Sequence, residues 1–170
     1  KTSKVVGIVD VPGQAFAYCL FEAGEIWVTD FSNPEAPTTK KYPDAGKQPY
    51  DGFLTPDARY YIAGLFGEDG ISVIDLWHPE KSPVKALREY RKGDPKLPVY
   101  KMPHLEGWTV AQRNLFAPAV GAHELMVVNA ETWKLRKKIP LAGQPVFAMA
   151  SPAGRQILVN FALPHNDTLQ

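Results

Sequence analysis

His104 and Asp51 are the two residues of this chain whose side chains best suit chemistry at a ligand site. A histidine can ligate iron, hydrogen-bond a ligand or carry protons near neutral pH. Asp51 precedes Gly52 in a segment that is otherwise apolar, so its carboxylate needs either solvent or a partner. Both also have an ordinary structural interpretation, as a lone structural histidine in a proline-rich stretch and as an aspartate in an Asx turn.

The other reactive residue types give little sign of a site. Cys19 is the single cysteine, so no intrachain disulfide can form. Its place in the apolar run from Phe16 to Phe21 predicts a small buried side chain on a strand, with a catalytic thiol or metal ligand as the alternative. The chain has no glycine-rich phosphate loop, nucleophile elbow or C-x-x-C-H haem attachment sequence. The remaining histidines lie in turn sequences without the spacing of a zinc site: His78, His123 and His165.

The composition is that of an ordinary globular chain of many short strands. Of its 170 residues, 45% are hydrophobic and 22% charged, and the formal net charge is +1. Acids and bases are mixed along the chain without a basic stripe, so a nucleic-acid partner is not expected. No apolar run approaches the length that spans a bilayer. The 16 prolines favour turns and short strands over long helices, because proline lacks a backbone donor.

The stretch 46–80 has the pattern of a small antiparallel sheet. Runs of aromatic and aliphatic residues at 52–55, 60–65 and 71–75 predict strands, and Val84 to Glu89 predicts a fourth. A Thr-Pro-Asp turn and an Asp-Gly hairpin turn separate the first three. The unit therefore resembles one blade of a β-propeller.

Pieces of this unit return along the chain at the spacing of propeller blades. The run from Gly143 to Arg155 repeats that from Gly46 to Arg59 with one residue fewer, and Asp30 to Glu35 matches Asp75 to Glu80. Repeats of about 40 to 50 residues are typical of propellers. The sequence thus predicts an all-β fold of about four blades in a single domain. The predicted boundaries are an outer strand at 1–10 and blades at 11–45, 46–97, 98–141 and, incomplete, 142–170.

Propeller geometry predicts where the ligand-binding residues gather. The residues just before and at the start of each innermost strand should converge on the axis at one face of the disc. Tyr50 and Phe147 would then offer flat surfaces to a planar ligand, although aromatic residues in a sheet are most often core. The predicted set, drawn from four blades, is Gln14; Gln48, Tyr50 and Asp51; Lys101, His104 and Glu106; Gln144 and Phe147.

The chain resembles the NirF proteins, which are needed to make haem d1, the cofactor of cytochrome cd1 nitrite reductase. The resemblance runs through essentially all residues and is carried by three runs: QPYDGFLTPDARYYIAGLFGEDGISVIDLW at 48–77, LPVYKMPHLEGW at 97–108 and GQPVFAMASPAGRQILVNFALPHND at 143–167. More distantly, the chain is similar to the d1-type eight-bladed propellers of the nitrite reductase and of the dihydro-haem d1 dehydrogenase NirN. The resemblance implies part of such an eight-bladed propeller.

The resemblance also implies roles for individual residues. In the nitrite reductase two distal histidines lie over the d1 haem. His104 corresponds to one of them, whereas Tyr50 stands near the position of the other, which argues against nitrite reduction. The implied ligand is haem d1 or a dihydro-haem d1 precursor, with no separate metal. His104 would be an axial or distal group and Asp51 an acid/base or hydrogen-bond partner. The expected binding residues are Tyr50 and Phe147 as stacking surfaces, Lys101 as a carboxylate partner, and Gln144.

Several expectations about the whole protein follow from the resemblance. It implies binding and late processing of a d1 precursor in the periplasm, with the nitrite reductase and NirN as partners. Whether the protein is an enzyme stays open, with an oxidoreductase acting on the precursor as one outcome and a non-catalytic tetrapyrrole carrier or partner-docking scaffold as the alternative. A propeller without a cofactor is a third possibility. The chain starts and stops abruptly, which predicts a piece of a longer protein or a dimer that pairs open sheet edges.

Overall fold

The structure, a computed structural model, describes residues 2–88, 90 and 105–162. Over these residues the regular elements are β-strands and two single 3₁₀ turns, as the sequence predicts. No helix in the described ranges is long and apolar enough to cross a membrane. The chain divides into two compact units, the first ending at Ala86 and the second beginning at Leu87. The prediction of a single domain stays a prediction.

The strands form three four-stranded sheets and one two-stranded sheet, each in chain order with antiparallel neighbours. Unit 1 holds the first two sheets, and unit 2 the other two. The first sheet is β1 (Val5–Val11), β2 (Ala15–Leu20), β3 (Glu25–Asp30) and β4 (Thr38–Tyr42); the second is β5 (Pro49–Leu54), β6 (Tyr60–Leu65), β7 (Ile71–Asp75) and β8 (Val84–Ala86). The third is β9 (Thr109–Ala111), β10 (Asn114–Ala119), β11 (Glu124–Asn129) and β12 (Leu135–Pro140), and the last is β13 (Pro145–Ala150) and β14 (Ile157–Phe161). The 3₁₀ turns are Leu105–Gly107 and Val120–Ala122.

The sequence repeat is also a structural repeat. In the turn after β5, the Thr55 carbonyl accepts the Ala58 N–H at 2.7 Å, and the Thr55 N–H donates to the Tyr60 carbonyl at 2.9 Å. After β13, Ser151 makes the same pair of bonds with Gly154 and Gln156, at 2.7 and 2.9 Å. Each turn also holds a residue at positive φ, 56° at Ala58 and 64° at Gly154. The Thr-Pro-Asp and Ser-Pro-Ala sequences therefore encode one and the same hairpin turn.

The assignment of the first strand to a preceding blade is wrong. Val5–Val11 pairs antiparallel with β2, Val11 opposite Ala15, and is the first strand of the first sheet. The residues between them form a tight hairpin turn in which Gly13 and Gln14 both have positive φ. The first sheet thus spans residues 5–42 rather than 11–45. Gln14 lies in this turn, at the opposite end of the sheet from the start of β1, so its inclusion in the predicted converging set is wrong.

The other strand predictions differ from the structure mainly at the ends. The strands at 60–65 and 71–75 are confirmed residue for residue. In the second sheet, β5 begins three residues earlier than predicted, at Pro49, and β8 ends at Ala86. Proline at the first position of a strand is tolerated because no ladder donor is needed there.

Unit 1 is joined by main-chain contact between the first strands of its two sheets. A Cβ at Gly7 would lie 2.9 Å from the Tyr50 carbonyl oxygen, and one at Gly52 would meet the Gly7 carbonyl oxygen and the Tyr61 Oη. Across this contact Tyr61 Oη donates to the Gly7 carbonyl oxygen at 2.6 Å. Because that bond uses the only hydroxyl hydrogen, the Cys19 thiol is the donor in its 3.1 Å contact with Tyr61 Oη. The surrounding buried cluster is Ala17, Cys19, Ile26, Tyr42, Ala45, Tyr61, Ala63 and Ile74.

Unit 2 has its own buried apolar residues. Leu125, Ala148 and Val159 are buried together, with half-buried apolar side chains such as Phe116 and Ile157 packed against them. Tyr90 lies beside Trp108, with ring centroids 5.9 Å apart, and its hydroxyl donates to the Pro118 carbonyl oxygen. These contacts tie the segment before β9 to β10.

Replacing Tyr61 by Phe should destabilise the full-length protein by about 2 kcal/mol, because the buried Gly7 carbonyl and the Cys19 thiol both lose their partner. The free energy of unfolding, measured by urea denaturation, tests this. Tyr18→Phe is the matched control, since the Tyr18 hydroxyl bonds to Thr29 in a partly exposed place and its loss should cost under about 1 kcal/mol. Equal costs for the two variants would contradict the proposed joint between the sheets.

Candidate functional site

Three first strands share a β-bulge, and two of the bulges contain predicted site residues. In β5, Tyr50 and Asp51 together lie opposite the single residue Gly64, because Pro49 pairs with Leu65 and Gly52 with Ala63. In β13, Val146 and Phe147 lie opposite Asn160 in the same way. The register of β1 shifts similarly between Val6 and Val9. Bulges reorient side chains and are common beside active sites, so the repeat presents these residues out of the regular pleat.

Tyr50 belongs to a cluster of three aromatic rings in unit 1. Its ring centroid lies 5.8 Å from that of Phe21 in an edge-on arrangement and 6.1 Å from that of Phe66, while Phe21 and Phe66 are 5.9 Å apart. Tyr50 and Phe66 remain 38% and 36% exposed. We call Phe21, Tyr50 and Phe66 the aromatic cluster. It provides an exposed apolar surface at the end of the sheets where β1 and β5 begin.

The sequence analysis missed two members of this cluster, although a signal for them exists. Phe21 and Phe66 each follow the last residue of the second strand of their sheet, in the pairs Leu20-Phe21 and Leu65-Phe66. The displacement of 45 residues is the one that relates the Asp30 and Asp75 segments. Propeller reasoning directed attention only to the starts of the first strands. The turns after the second strands end at the same face and contribute equally.

Asp51 is half-buried beside the aromatic cluster, and its Oδ1 accepts the Gly52 N–H at 3.0 Å. The local hydrogen bond fits the structural interpretation of this residue, while its position in the bulge fits the functional one. Burial raises the pKa of the Cys19 thiol to about 12, and the negative charge of Asp51 contributes. The expectation of a small buried Cys19 on a strand is confirmed.

Two carboxylates fix the starts of the first strands in unit 1. Glu22, in the turn after β2, accepts the Lys4 N–H at 2.7 Å and the Ser3 hydroxyl at 3.1 Å, and these bonds lower its pKa to about 2. Glu68, in the turn after β6, accepts the Lys47 N–H at 3.0 Å, and this bond lowers its pKa. The same clamp therefore occurs in both sheets, and both carboxylates stay ionised at neutral pH.

In unit 2 the structure places two of the predicted residues at the start of β13. Gln144 is 5% exposed, and its side-chain Nε2 is buried without a hydrogen-bond partner. Phe147 is 43% exposed, its N–H donates to Asn160 Oδ1 at 2.9 Å, and its ring lies where a Cβ on Gly107 would be. A buried unpaired amide is uncommon and marks a place where a further polar group fits. Lys101 and His104 lie outside the described residues.

The structure thus groups the predicted site residues within each unit. It brings Tyr50 and Asp51 together in one bulge, and Gln144 and Phe147 at the start of one strand. Among the described ranges, no group of three His, Cys, Asp or Glu side chains could hold a metal ion. The arrangement in unit 1 offers an apolar face for a flat ligand, with the Asp51 carboxylate and the Tyr50 hydroxyl as nearby polar groups.

Comparison with known proteins identifies related sequences along the whole chain. The family model described as "Cytochrome D1 heme domain" matches residues 1–170. The "Protein NirF" of Pseudomonas aeruginosa is 55% identical over 170 residues, and that of Stutzerimonas stutzeri 53%. These matches cover all of this chain but only 43% and 44% of those proteins, so the chain spans less than half the length of its curated relatives. The resemblance to NirF proteins is confirmed.

The fold is found in a solved structure of low sequence identity. The structure described as "Dihydro-heme d1 dehydrogenase NirN in complex with DHE" superposes with a TM-score of 0.72 at 21% identity, covering 98% of this chain and 34% of that one. The all-β fold of successive antiparallel sheets is therefore that of part of a d1-type β-propeller, as the sequence predicts.

The Cys19 thiol should be inert in the folded protein. With a pKa of about 12 its thiolate fraction at pH 8 is roughly a thousandfold below that of an unfolded thiol, because burial disfavours the charged form. Alkylation by iodoacetamide, followed by mass spectrometry of the Cys19 peptide, should therefore be slow in the native protein and fast in urea. Rapid labelling of the native protein at pH 8 would contradict the buried position.

Proposed function

Because this chain belongs to the cytochrome D1 heme domain family, we propose that it is part of a haem d1 biosynthesis protein that binds a d1-type tetrapyrrole at the face where the first strands begin. The proposal includes processing of a haem d1 or dihydro-haem d1 precursor for assembly of cytochrome cd1 nitrite reductase in denitrification. The similarity to NirF proteins along the whole chain supports it. So does the NirN structure, whose title describes a complex with DHE.

The aromatic cluster is the observation that carries the proposal. Three rings meet at one end of unit 1, and two of them remain more than one-third exposed. Burying aromatic surface against a flat apolar ligand is favourable, and ring contacts add about 0.5–1.5 kcal/mol per pair. A tetrapyrrole macrocycle is such a ligand. The bulge at Tyr50 and Asp51 directs these residues to the same end of β5.

The remaining site residues have the following proposed roles. His104 is an axial or distal group over the iron, and Asp51 exchanges protons or hydrogen bonds with the ligand. Phe147 offers a second stacking surface, and Lys101 pairs with a ligand carboxylate. Gln144 supplies a hydrogen-bond donor, a role supported by its buried and unpaired Nε2.

The proposed setting is the periplasm, with the nitrite reductase and a NirN-type dehydrogenase as partners, as the NirF resemblance implies. Whether the precursor is oxidised on this protein or only carried by it distinguishes an enzyme from a scaffold. Incubating full-length protein with dihydro-haem d1 and following the mass of the pigment separates the two. A changed mass indicates turnover, and an unchanged mass with retained binding indicates a carrier. Edge-to-edge dimerisation stays a prediction.

Phe66→Ala should weaken binding of dihydro-haem d1 to the full-length protein by roughly threefold to tenfold, because it removes one ring of the aromatic cluster. Titration of the Soret and visible bands measures this. Phe16→Ala is the matched control, since Phe16 is 38% exposed and stacks on Phe31 at 4.9 Å, yet belongs to the other end of the first sheet. Equal effects of the two substitutions would contradict the proposed binding face.

His104→Ala should change the spectrum of the bound pigment, because a group close to the iron alters its ligand field. The measurement is the visible spectrum of the saturated complex, with His78→Ala as control, because His78 lies in the exposed turn after β7. An unchanged spectrum for His104→Ala would remove this residue from the site.

A further inference from the structure

A cleft of about 450 Å³ opens in unit 1, lined by the turn 22–24, the segment 46–48 and Gly67. Glycines allow the main chains of these segments to approach each other closely. A Cβ at Gly24 would lie 2.7 Å from the Gly46 carbonyl oxygen, and one at Gly67 would lie 2.9 Å from Lys47 Cβ. Gly46 has φ of +132°, which a residue with a side chain rarely adopts. The cleft is therefore a preformed feature with main chain in its wall.

The cleft adjoins the aromatic cluster through consecutive residues. Phe21 precedes Glu22 in the chain, and Phe66 precedes Gly67. Main-chain hydrogen bonds also join residues 66–67 to the segment 46–48. The Phe66 N–H donates to the Gln48 carbonyl at 2.8 Å, and the Gly67 N–H donates to the Lys47 carbonyl at 3.0 Å. The cleft and the aromatic cluster are therefore built on the same two turns, those after β2 and β6.

Among the described residues, the charged groups in and beside the cleft are two carboxylates, Glu22 and Glu68, and three lysine ammonium groups. Glu22 is engaged by the Ser3 hydroxyl and the Lys4 main chain, and its carboxylate is 3.3 Å from Lys4 Nζ. Beside the cleft, Glu68 pairs with Lys85 at 3.7 Å. The Lys47 side chain is exposed and takes part in no ion pair between described residues, although its positive charge helps to lower the pKa of Glu68, which also accepts the Lys47 N–H.

Gln48 provides a second polar side chain at the same place. Its Oε1 lies 2.9 Å from the position that a Cβ on Gly67 would occupy, so the side chain lies along the wall of the cleft. A free amide can donate two hydrogen bonds and an ammonium three, and both are suited to carboxylate oxygens. A carboxylate bound in the cleft can therefore accept hydrogen bonds from the Lys47 ammonium group and the Gln48 amide.

We propose that this cleft binds a carboxylate substituent of the tetrapyrrole, with Lys47 Nζ as its charge partner and the Gln48 amide as a further donor. The macrocycle then lies on the aromatic cluster, and the pair of residues selects precursors that still carry the free acid at that position. This assignment rests on the proposed function and adds a specificity-determining site to it.

The experiment compares two probes, dihydro-haem d1 and its methyl ester, on full-length protein. Relative to wild-type protein, Lys47→Gln should weaken binding of the free acid by about tenfold and change binding of the ester by less than about twofold. The reason is that only the free acid loses a charged hydrogen bond. Lys40→Gln makes the same charge change on the exposed outer strand β4 and should leave both affinities unchanged. Thermal melting checks that each variant is folded.

The outcomes separate this inference from the proposed function. Wild-type protein that binds neither probe overturns the proposed function and the inference with it. Wild-type protein that binds both probes equally, with Lys47→Gln behaving like Lys40→Gln, overturns the inference and leaves the proposed function standing. A tenfold loss that is specific to Lys47→Gln and the free acid supports both.

Discussion

The contact between Gly7 and Gly52 is the constraint on which unit 1 depends. Each glycine lets the main chain of one first strand approach the other, and an added Cβ at either position would meet main-chain atoms. Tyr61 closes the contact with its hydroxyl on the Gly7 carbonyl, and burial raises the pKa of that hydroxyl well above its usual range. The joint therefore combines a shape that only glycine permits with a buried donor that stays protonated.

This constraint also positions the proposed binding face. Gly7 lies within the bulge of β1, and Gly52 directly follows the bulge of β5. The irregularity that lets the two strands approach therefore also presents Tyr50 and Asp51 at the binding face. The carboxylates of Glu22 and Glu68 then hold the residues before each strand. The aromatic cluster and the cleft lie on turns and strand starts whose positions are fixed by the glycine contact and the two carboxylates. A rigid framework of this kind keeps binding surfaces in place while loops vary in sequence.

Much of the fold was predictable from the sequence, and most of the site was not. Aromatic and β-branched runs bounded by proline and glycine predicted β6 and β7 to the residue. The strand β1 was predicted but assigned to the wrong blade, because the Pro-Gly-Gln hairpin turn after it resembles the Gly-Lys-Gln-Pro segment before β5. Phe21, Phe66 and Lys47 gain their significance from neighbours in another strand or turn, so a search for reactive residue types passes over them. The bulge at Tyr50 depends on pairing between strands and has no signature in a single segment.

The most direct test of the binding face is a crystal structure of the full-length protein with dihydro-haem d1 bound. We expect the macrocycle to lie within about 4 Å of the rings of the aromatic cluster, the usual distance of apolar contact. A macrocycle bound elsewhere, with Phe21, Tyr50 and Phe66 still facing solvent, would contradict it.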